Sequence, residues 1–426
     1  MNTNKLTFAI YTGISTLYLN QVHASGFQLS EHSASGLGRA FAGEAAIADN
    51  AAVLSRNPAA MTRFEQAAIS GAISYIDATV SIDSSKEDVS DVVPGAFVPA
   101  GYYIQPLNDK WAVGFAMYSN FGLATDFDAD YFAGEMGGVT ELATFNLNPN
   151  VSYKVNNQLS VGAGVSAVYG KAELSRNCGD KLAAASQYPS LYPNAAGCSA
   201  SSNTSASLKG NGWGYGWNVG ALYEINEQNR FGIAYHSKVD IDLEGDYYSD
   251  LATYSSESGN MGKLTLNLPD IFEFSGYHKV TPTTAVHYSA MWTGWSRFKS
   301  LEATVGDTTV LSKDEHFSDT WRYALGATYD MNSKLALRIG MAYEAAASVT
   351  EESISIPDSN RWQYSTGMTY RFTDKLSMDL GASYIIGDKV IFNEQSYSST
   401  GSLISSYDFI SKGEVIITSV QVNYLL

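Results

Sequence analysis

The sequence predicts an all-β membrane protein: a 14-stranded antiparallel transmembrane β-barrel with a small, partly helical N-terminal hatch in its lumen. Three observations predict it. Apolar and polar residues alternate with period two through segment after segment, the pattern of strands. Many of these segments reach about ten residues, the length of a tilted bilayer crossing, whereas soluble strands usually stop at about five or six. The connections are alternately short and long along the whole chain, as periplasmic turns and extracellular loops are in outer-membrane barrels.

Composition fits that solvent. The 426 residues carry 43 Asp+Glu against 26 Lys+Arg, a net charge of −17, yet only 16% are charged, well below the usual quarter or so. With 45% apolar residues the chain is not a disordered one. An acidic chain also excludes nucleic acid as a partner, because that needs a basic footprint. No Walker loop, Rossmann fingerprint or HExxH is present, so neither a nucleotide cofactor nor a metal is implied.

Residues 1–24 read as a signal peptide. Lys5 precedes the apolar run Leu6 to Leu19, and Val22-His23-Ala24 supplies a small-residue cleavage site before Ser25. The run is too short and too rich in Thr, Ser, Gly and Tyr for a membrane anchor, and no later stretch is long and apolar enough for a membrane helix.

Residues 25–66 do not alternate. They are rich in Gly, Ala and Ser, with room for short helices between Ser35 and Asn50. Such a piece cannot bury enough apolar surface to fold alone. Its place is predicted inside the barrel, as a hatch that plugs a lumen too wide for side chains to fill. Arg39, Glu44, Asp49 and Arg56 offer partners to a polar lumen, and Asn57-Pro58-Ala59 sets a rigid turn.

Residues 67–426 make the barrel. Strands are expected near 67–80, 97–105, 111–124, 141–155, 159–174, 211–225, 230–242, 263–280, 284–296, 317–330, 335–346, 361–371, 376–390 and 414–426. In the fourth, Phe145, Leu147, Pro149, Val151 and Tyr153 share one face, opposite Asn146, Asn148, Asn150, Ser152 and Lys154. Tyr323 to Asp330 and Ser419 to Leu426 alternate in the same way. A sandwich also alternates, so the sorting of the connections decides. Tight turns fall at Pro106–Lys110, Asn156–Gln158, Asn226–Asn229, Thr281–Thr283, Asn332–Lys334 and Thr373–Lys375, and long loops near 81–96, 125–140, 175–210, 243–262, 297–316, 347–360 and 391–413. Aromatic residues such as Tyr102, Tyr103, Trp292 and Trp295 gather at strand ends, at headgroup level. Gly122 interrupts the third strand, where glycine marks a bulge or a close approach.

Several segments carry a resemblance. SGFQLSEHSASGLGRAFAGEAAIADNAAVLSRNPAAM (25–61), SNFGLATDF (119–127), NGWGYGWNVGALYE (211–224), LTLNLPDIFEFSGY (264–277), YSAMWTGWSRF (288–298) and SISIPD (353–358), in collinear order, resemble the outer-membrane long-chain fatty acid transporters of the FadL family. The resemblance implies a 14-stranded barrel with an N-terminal hatch and passive uptake of hydrophobic molecules across the bacterial outer membrane. It further implies a carboxylate clamp at Arg176 and Lys313, a substrate pocket reached by Phe27 and a lateral exit through an inward kink at Gly122. Asp358 is expected to hold the hatch by a polar contact, and Leu123, Phe127, Tyr131 and Phe132 to line a first greasy groove outside. The partners expected are a long-chain fatty acid or other hydrophobic ligand, outer-membrane lipid and lipopolysaccharide, with the chain a monomer.

Cys178 and Cys198 flank one long loop in an oxidising compartment, which favours a disulfide over two free thiols. Asp126-Phe-Asp128-Ala-Asp130 lacks the glycine and bidentate glutamate of a calcium loop and reads as solvated acid. His287 and Ser289 share a strand face, so a barrel lipase is one alternative. A general porin and a channel for neutral aromatic or alkane hydrocarbons are the others.

Overall fold

The computed structural model describes residues 26–186, 198–250, 261–348, 352–397 and 403–426. The signal peptide expected at 1–24 lies outside them. Twenty strand segments join into one closed antiparallel sheet with the circuit of a 14-stranded barrel. They are β1 (Ala68–Ser84), β2 (Ala96–Pro106), β3 (Trp111–Tyr118), β4 (Gly122–Asp126), β5 (Val139–Lys154), β6 (Leu159–Asn177), β7 (Thr204–Asn226), β8 (Asn229–His236), β9 (Val239–Tyr248), β10 (Met261–Leu268), β11 (Ile271–Lys279), β12 (Thr284–Thr293), β13 (Ser300–Val305), β14 (Thr308–Asp314), β15 (Thr320–Asp330), β16 (Leu335–Glu344), β17 (Arg361–Arg371), β18 (Leu376–Gly387), β19 (Val390–Tyr397) and β20 (Leu403–Leu425). β1 pairs with β2 on one side and with β20 on the other, from Ala68↔Leu425 to Ser84↔Phe409, which closes the ring.

The barrel is inside out relative to a soluble sandwich. Asn146, Asn148, Asn150 and Ser152 are buried, while Val151 on the opposite face is 41% exposed. Gln421 is fully buried between the exposed Val420 and Val422. The polar face lines the lumen and the apolar face meets lipid. Asn148 donates to Val165 O at 2.8 Å and to Asn218 Oδ1 at 2.9 Å, so the buried amides are bonded to each other and to the wall.

The short turns share one chemistry. Asn108, Asn156 and Asn332 each accept, through Oδ1, the amides two and three residues on, at 2.8–3.0 Å, and Thr373 does so through its hydroxyl at 3.0–3.2 Å. A short polar side chain mimicking a backbone turn fixes each reversal. The long connections depart from expectation in two places. Residues 297–316 hold the β13–β14 hairpin, and 391–413 hold β19 with the start of β20. In both hairpins exposed polar residues such as Glu302, Ser312 and Asn393 mix with exposed apolar ones such as Ile391 and Tyr397, which hides the strand signal.

Residues 26–63 lie within the ring. They form α1 (Ala34–Leu37), α2 (Glu44–Ile47) and two 3-10 turns, Ala51–Ser55 and Pro58–Arg63. Wall glycines make the seat. A Cβ at Gly162, Gly232, Gly340 or Gly381 would run into backbone atoms of this segment. Ion pairs close the fit. Arg39 reaches Glu44 at 2.6 Å and Asp49 at 2.7 Å, and Asp49 meets Arg338 of β16 at 3.3 Å. Arg230 of β8 donates to Ala46 O at 2.6 Å and to Ile47 O at 2.5 Å, the carbonyls at the end of α2. Each of these charges therefore has a partner, as burial in a lumen requires.

Candidate functional site: an apolar chamber at the broken strand

The third barrel strand stops at Tyr118 and resumes at Gly122. β3 pairs with β2 from Pro106↔Ala112 to Gly101↔Met117, whereas β4 pairs with β5. Among the described residues, no ladder joins β4 to the upper half of β2. The first residues of the plug take up the missing bonds: Leu29 N donates to Asn120 O at 2.7 Å, and Gly122 N donates to Phe27 O at 2.8 Å. Gly122 thus marks the resumption of the strand, and Phe27 is bonded directly to it.

This pairing aims the Phe27 ring into an apolar cluster. Its centroid lies 4.6 Å from Trp295, 5.0 Å from Phe298 and 6.1 Å from Phe121, all edge-on. Phe317, Met291, Leu266, Leu268 and Ile356 complete the cluster. Gly26 is required here: its φ is +58°, and a Cβ would sit 2.7 Å from the Trp295 ring. The cluster is apolar, although the lumen below it is lined by polar side chains. Beside it, Asn120, Phe121, Trp217, His236 and Ile271 help line a small cavity of about 20 Å³, roughly room for one water.

Asp358 accepts the amides of Ala347 at 2.6 Å, Ser348 at 3.1 Å and Ser359 at 2.9 Å, and the amide of Gly26 also faces it. Burial pushes its carboxyl above the ordinary value, against the pull of Arg361 and of these amides. Asn57 caps the Pro58 turn, accepting from Ala59 N at 3.0 Å and donating to Ala45 O at 2.7 Å and Ala221 O at 3.0 Å. The Asn57-Pro58-Ala59 corner therefore ties the plug to β7.

The two cations stand at the extracellular rim. Arg176, near the end of β6, is 7% exposed. It donates to Ser175 O at 2.8 Å, Val139 O at 3.1 Å and Thr140 Oγ1 at 3.1 Å, all neutral partners. Lys313 on β14 donates to Ser353, to Ser355 Oγ at 3.2 Å and to Glu394 Oε1 at 2.5 Å. Leu301, opposite Lys313 in the β13–β14 hairpin, belongs to the Phe27 cluster.

Leu123 also belongs to the Phe27 cluster. Phe127, Tyr131 and Phe132 instead form a second apolar cluster with Phe409 and Ile354, and all three are buried. The expected open groove is a closed roof here, because loop residues fold over it. Lys86 lies 5.2 Å from the Phe132 ring centroid and pairs with Asp180 at 3.1 Å. Asp180 lies in the first turn of α3 (Gly179–Ala185), directly after Cys178 of the Cys178–Cys198 disulfide, whose Cα atoms are 5.7 Å apart. His287 bonds Thr328 at 2.9 Å, and Ser289 donates to Phe41 O at 3.4 Å, so the two are not aligned as base and nucleophile. Sequence reasoning missed Glu394, Phe298 and Phe317 at this site. Phe298 ends the segment YSAMWTGWSRF and Phe317 begins the expected strand 317–330, but Glu394 fell in a presumed loop.

Residues 15–426 match the family described as "Outer membrane protein transport protein (OMPP1/FadL/TodX)". The chain is 41% identical over 425 residues to a long-chain fatty acid transport protein of Salmonella typhi, covering 95% of each. It is 43% identical over 371 residues to outer membrane protein P1 of Haemophilus influenzae, covering 80% of this chain and 81% of that one. Among solved structures, a Pseudomonas aeruginosa FadL homologue superposes with a TM-score of 0.82 at 23% identity, covering 94% of this chain and 99% of that one. The Pseudomonas putida toluene transporter TodX superposes at 0.71 with 15% identity, covering 96% and 99%.

Proposed function

The chain belongs to the OMPP1/FadL/TodX family of outer-membrane transport proteins, and from that premise we propose that it takes up long-chain fatty acids passively across the bacterial outer membrane. The observation that carries this is the apolar aromatic chamber, set in a polar lumen and rimmed by the buried Arg176 and the half-buried Lys313. Each methylene moved from water into such a chamber gains about 0.8 kcal/mol. A carboxylate drawn in with its tail needs charged donors, and among the described residues Arg176 has no carboxylate hydrogen-bond partner.

The steps follow the chemistry from outside inward. The tail first meets the aromatic roof of Phe127, Tyr131 and Phe132. It then enters the chamber with its carboxylate between Arg176 and Lys313. The Phe27 tip yields, releasing its bonds to Asn120 and Gly122. The ligand leaves sideways through the unpaired stretch of wall between β2 and β4, into the bilayer core. An apolar ligand has no reason to cross a wet pore, and no nucleotide is needed because the ligand runs down its own gradient.

The second reading is a channel for neutral hydrocarbons. It is favoured by Glu394, which already neutralises Lys313, and by the likeness to a toluene transporter. Competition for saturable binding between oleate and the alkane of equal length separates the two. Preference for oleate supports the acid, and equal competition supports the hydrocarbon. Ester hydrolysis or open ion conductance by the purified protein would replace both with an enzyme or a porin.

A further inference from the structure

Glu394 is the group that no motif and no turn chemistry explains. It sits on β19, outside the bilayer-crossing part of the sheet, and is 7% exposed. Its Oε1 takes the Lys313 ammonium at 2.5 Å, and its Oε2 accepts the Ile354 amide at 2.9 Å. Ser353 donates to it at 3.3 Å. It is also the foremost carboxylate acting on Arg176, ahead of Glu315. One carboxylate therefore answers both cations of the proposed clamp.

Its position is as telling as its partners. Ile354 belongs to the roof cluster and Ile356 to the Phe27 chamber. The segment between them, with Ser353 and Ser355, is where Lys313 and Glu394 meet. Thr125 donates to Ser355 O at 2.8 Å, which joins the same segment to the broken strand. The ion pair thus forms a polar septum between two apolar compartments, on the path a tail must take.

From this we infer that Glu394 is a resident stand-in for the ligand's carboxylate, which an incoming fatty acid anion displaces from the Lys313 ammonium. This deepens the uptake reading above and rests on it. The balance is simple. The ligand carboxylate takes the Lys313 ammonium, and Glu394 leaves it while keeping the Ile354 amide as a partner. No covalent bond changes. A neutral hydrocarbon makes no exchange and leaves the pair intact.

The purely architectural alternative is a tie between the β19 hairpin and the 353–356 segment. The charge at residue 394 separates the two roles. Affinities for oleate and for the matching alkane are measured on the full-length protein in detergent, for the wild type, Glu394→Gln and Glu394→Asp. Glu394→Gln leaves Lys313 without a competing carboxylate and should bind oleate about tenfold more tightly. Glu394→Asp keeps the charge and should keep the wild-type oleate affinity, and all three should bind the alkane alike. Unchanged or weaker oleate binding by Glu394→Gln overturns the inference, as does an equal loss of oleate and alkane binding in both variants, which is what a mere tie would give. If the wild type shows no saturable oleate binding, the uptake reading itself falls.

Discussion

Replacing Phe27 by Ala tests whether the plug tip is a gate or a wall of the site, because the two roles predict opposite signs. The Phe27 ring is 1% exposed and makes edge-on contacts with three other rings, at 4.6, 5.0 and 6.1 Å. Truncating so buried a ring typically removes about 3–5 kcal/mol of packing. If a ligand tail has to evict the ring, the wild type loses that packing each time it binds, and the variant has nothing to lose. The evicted ring recovers part of the energy elsewhere. Taking about half as lost leaves roughly 2 kcal/mol, or about 30-fold tighter oleate binding by Phe27→Ala. If the ring stays and packs against the tail, the same variant binds more weakly. The assay is a titration with a fluorescent long-chain fatty acid, after heat-modifiable gel migration has shown that the barrel is folded. Binding weakened tenfold or more would refute displacement and leave Phe27 as part of the pocket lining.

Two further outcomes are expected. Arg176→Ala with Lys313→Ala should weaken oleate binding by roughly 2 kcal/mol or more, the scale of charge-assisted bonds, while alkane binding and folding stay intact; unchanged oleate affinity would remove the clamp. Burial raises the Asp358 carboxyl in the folded protein, so its stability contribution is fully present below the unfolded carboxylate value near 3.9 and is lost as pH rises through the folded value. Asp358→Asn should then raise the denaturant midpoint near pH 7, with the difference from the wild type vanishing below about pH 4; a constant difference across that range would contradict the assignment.

The architecture was legible because a barrel writes itself locally. The alternation of Asn146, Asn148 and Asn150 with Leu147, Pro149 and Val151 needs only the pleat, and a turn such as Asn156 to Leu159 needs only one side chain. The site was legible only through resemblance. Trp295, Phe298 and Phe317 have no common period, because they lie at the 3-10 turn Trp295–Arg297 after β12 and just before β15 rather than along one strand face. Glu394 was hidden for another reason. Above the bilayer the outer face need not be apolar, so β19 alternates exposed and buried residues of mixed polarity and loses the pattern that marks a crossing. The seat of the plug was missed too. Gly162, Gly220, Gly232, Gly340 and Gly381 lie on different strands, and nothing in the chain order says that they surround one segment.

That seat also bears on which part of the plug moves. The body is held by the Arg39, Asp49, Arg338 and Asp379 ion pairs, by Arg230 on the end of α2 and by backbone fitted against glycine. Moving it would expose several buried charges at once, each costing more than a surface pair. The tip has two ladder bonds to Asn120 and Gly122, a Gln28 contact to Thr293 at 2.8 Å and the Phe27 ring. Uptake by the proposed route therefore requires the tip to move and the body to stay. A cross-link makes the distinction. A Cβ at Gly220 would lie 2.9 Å from Cγ of Asn57, close to the roughly 3 Å that separates one sulfur from the opposite Cβ in a disulfide. The pair Asn57→Cys and Gly220→Cys should bond and tie the body to β7. With that bond formed, fatty acid uptake by cells or proteoliposomes should proceed at the wild-type rate, the wild type with and without reductant controlling for Cys178–Cys198. Uptake that stops on oxidation and returns on reduction only in the double variant would show that the whole plug has to shift, and the lateral route through the Phe27 tip would fail with it.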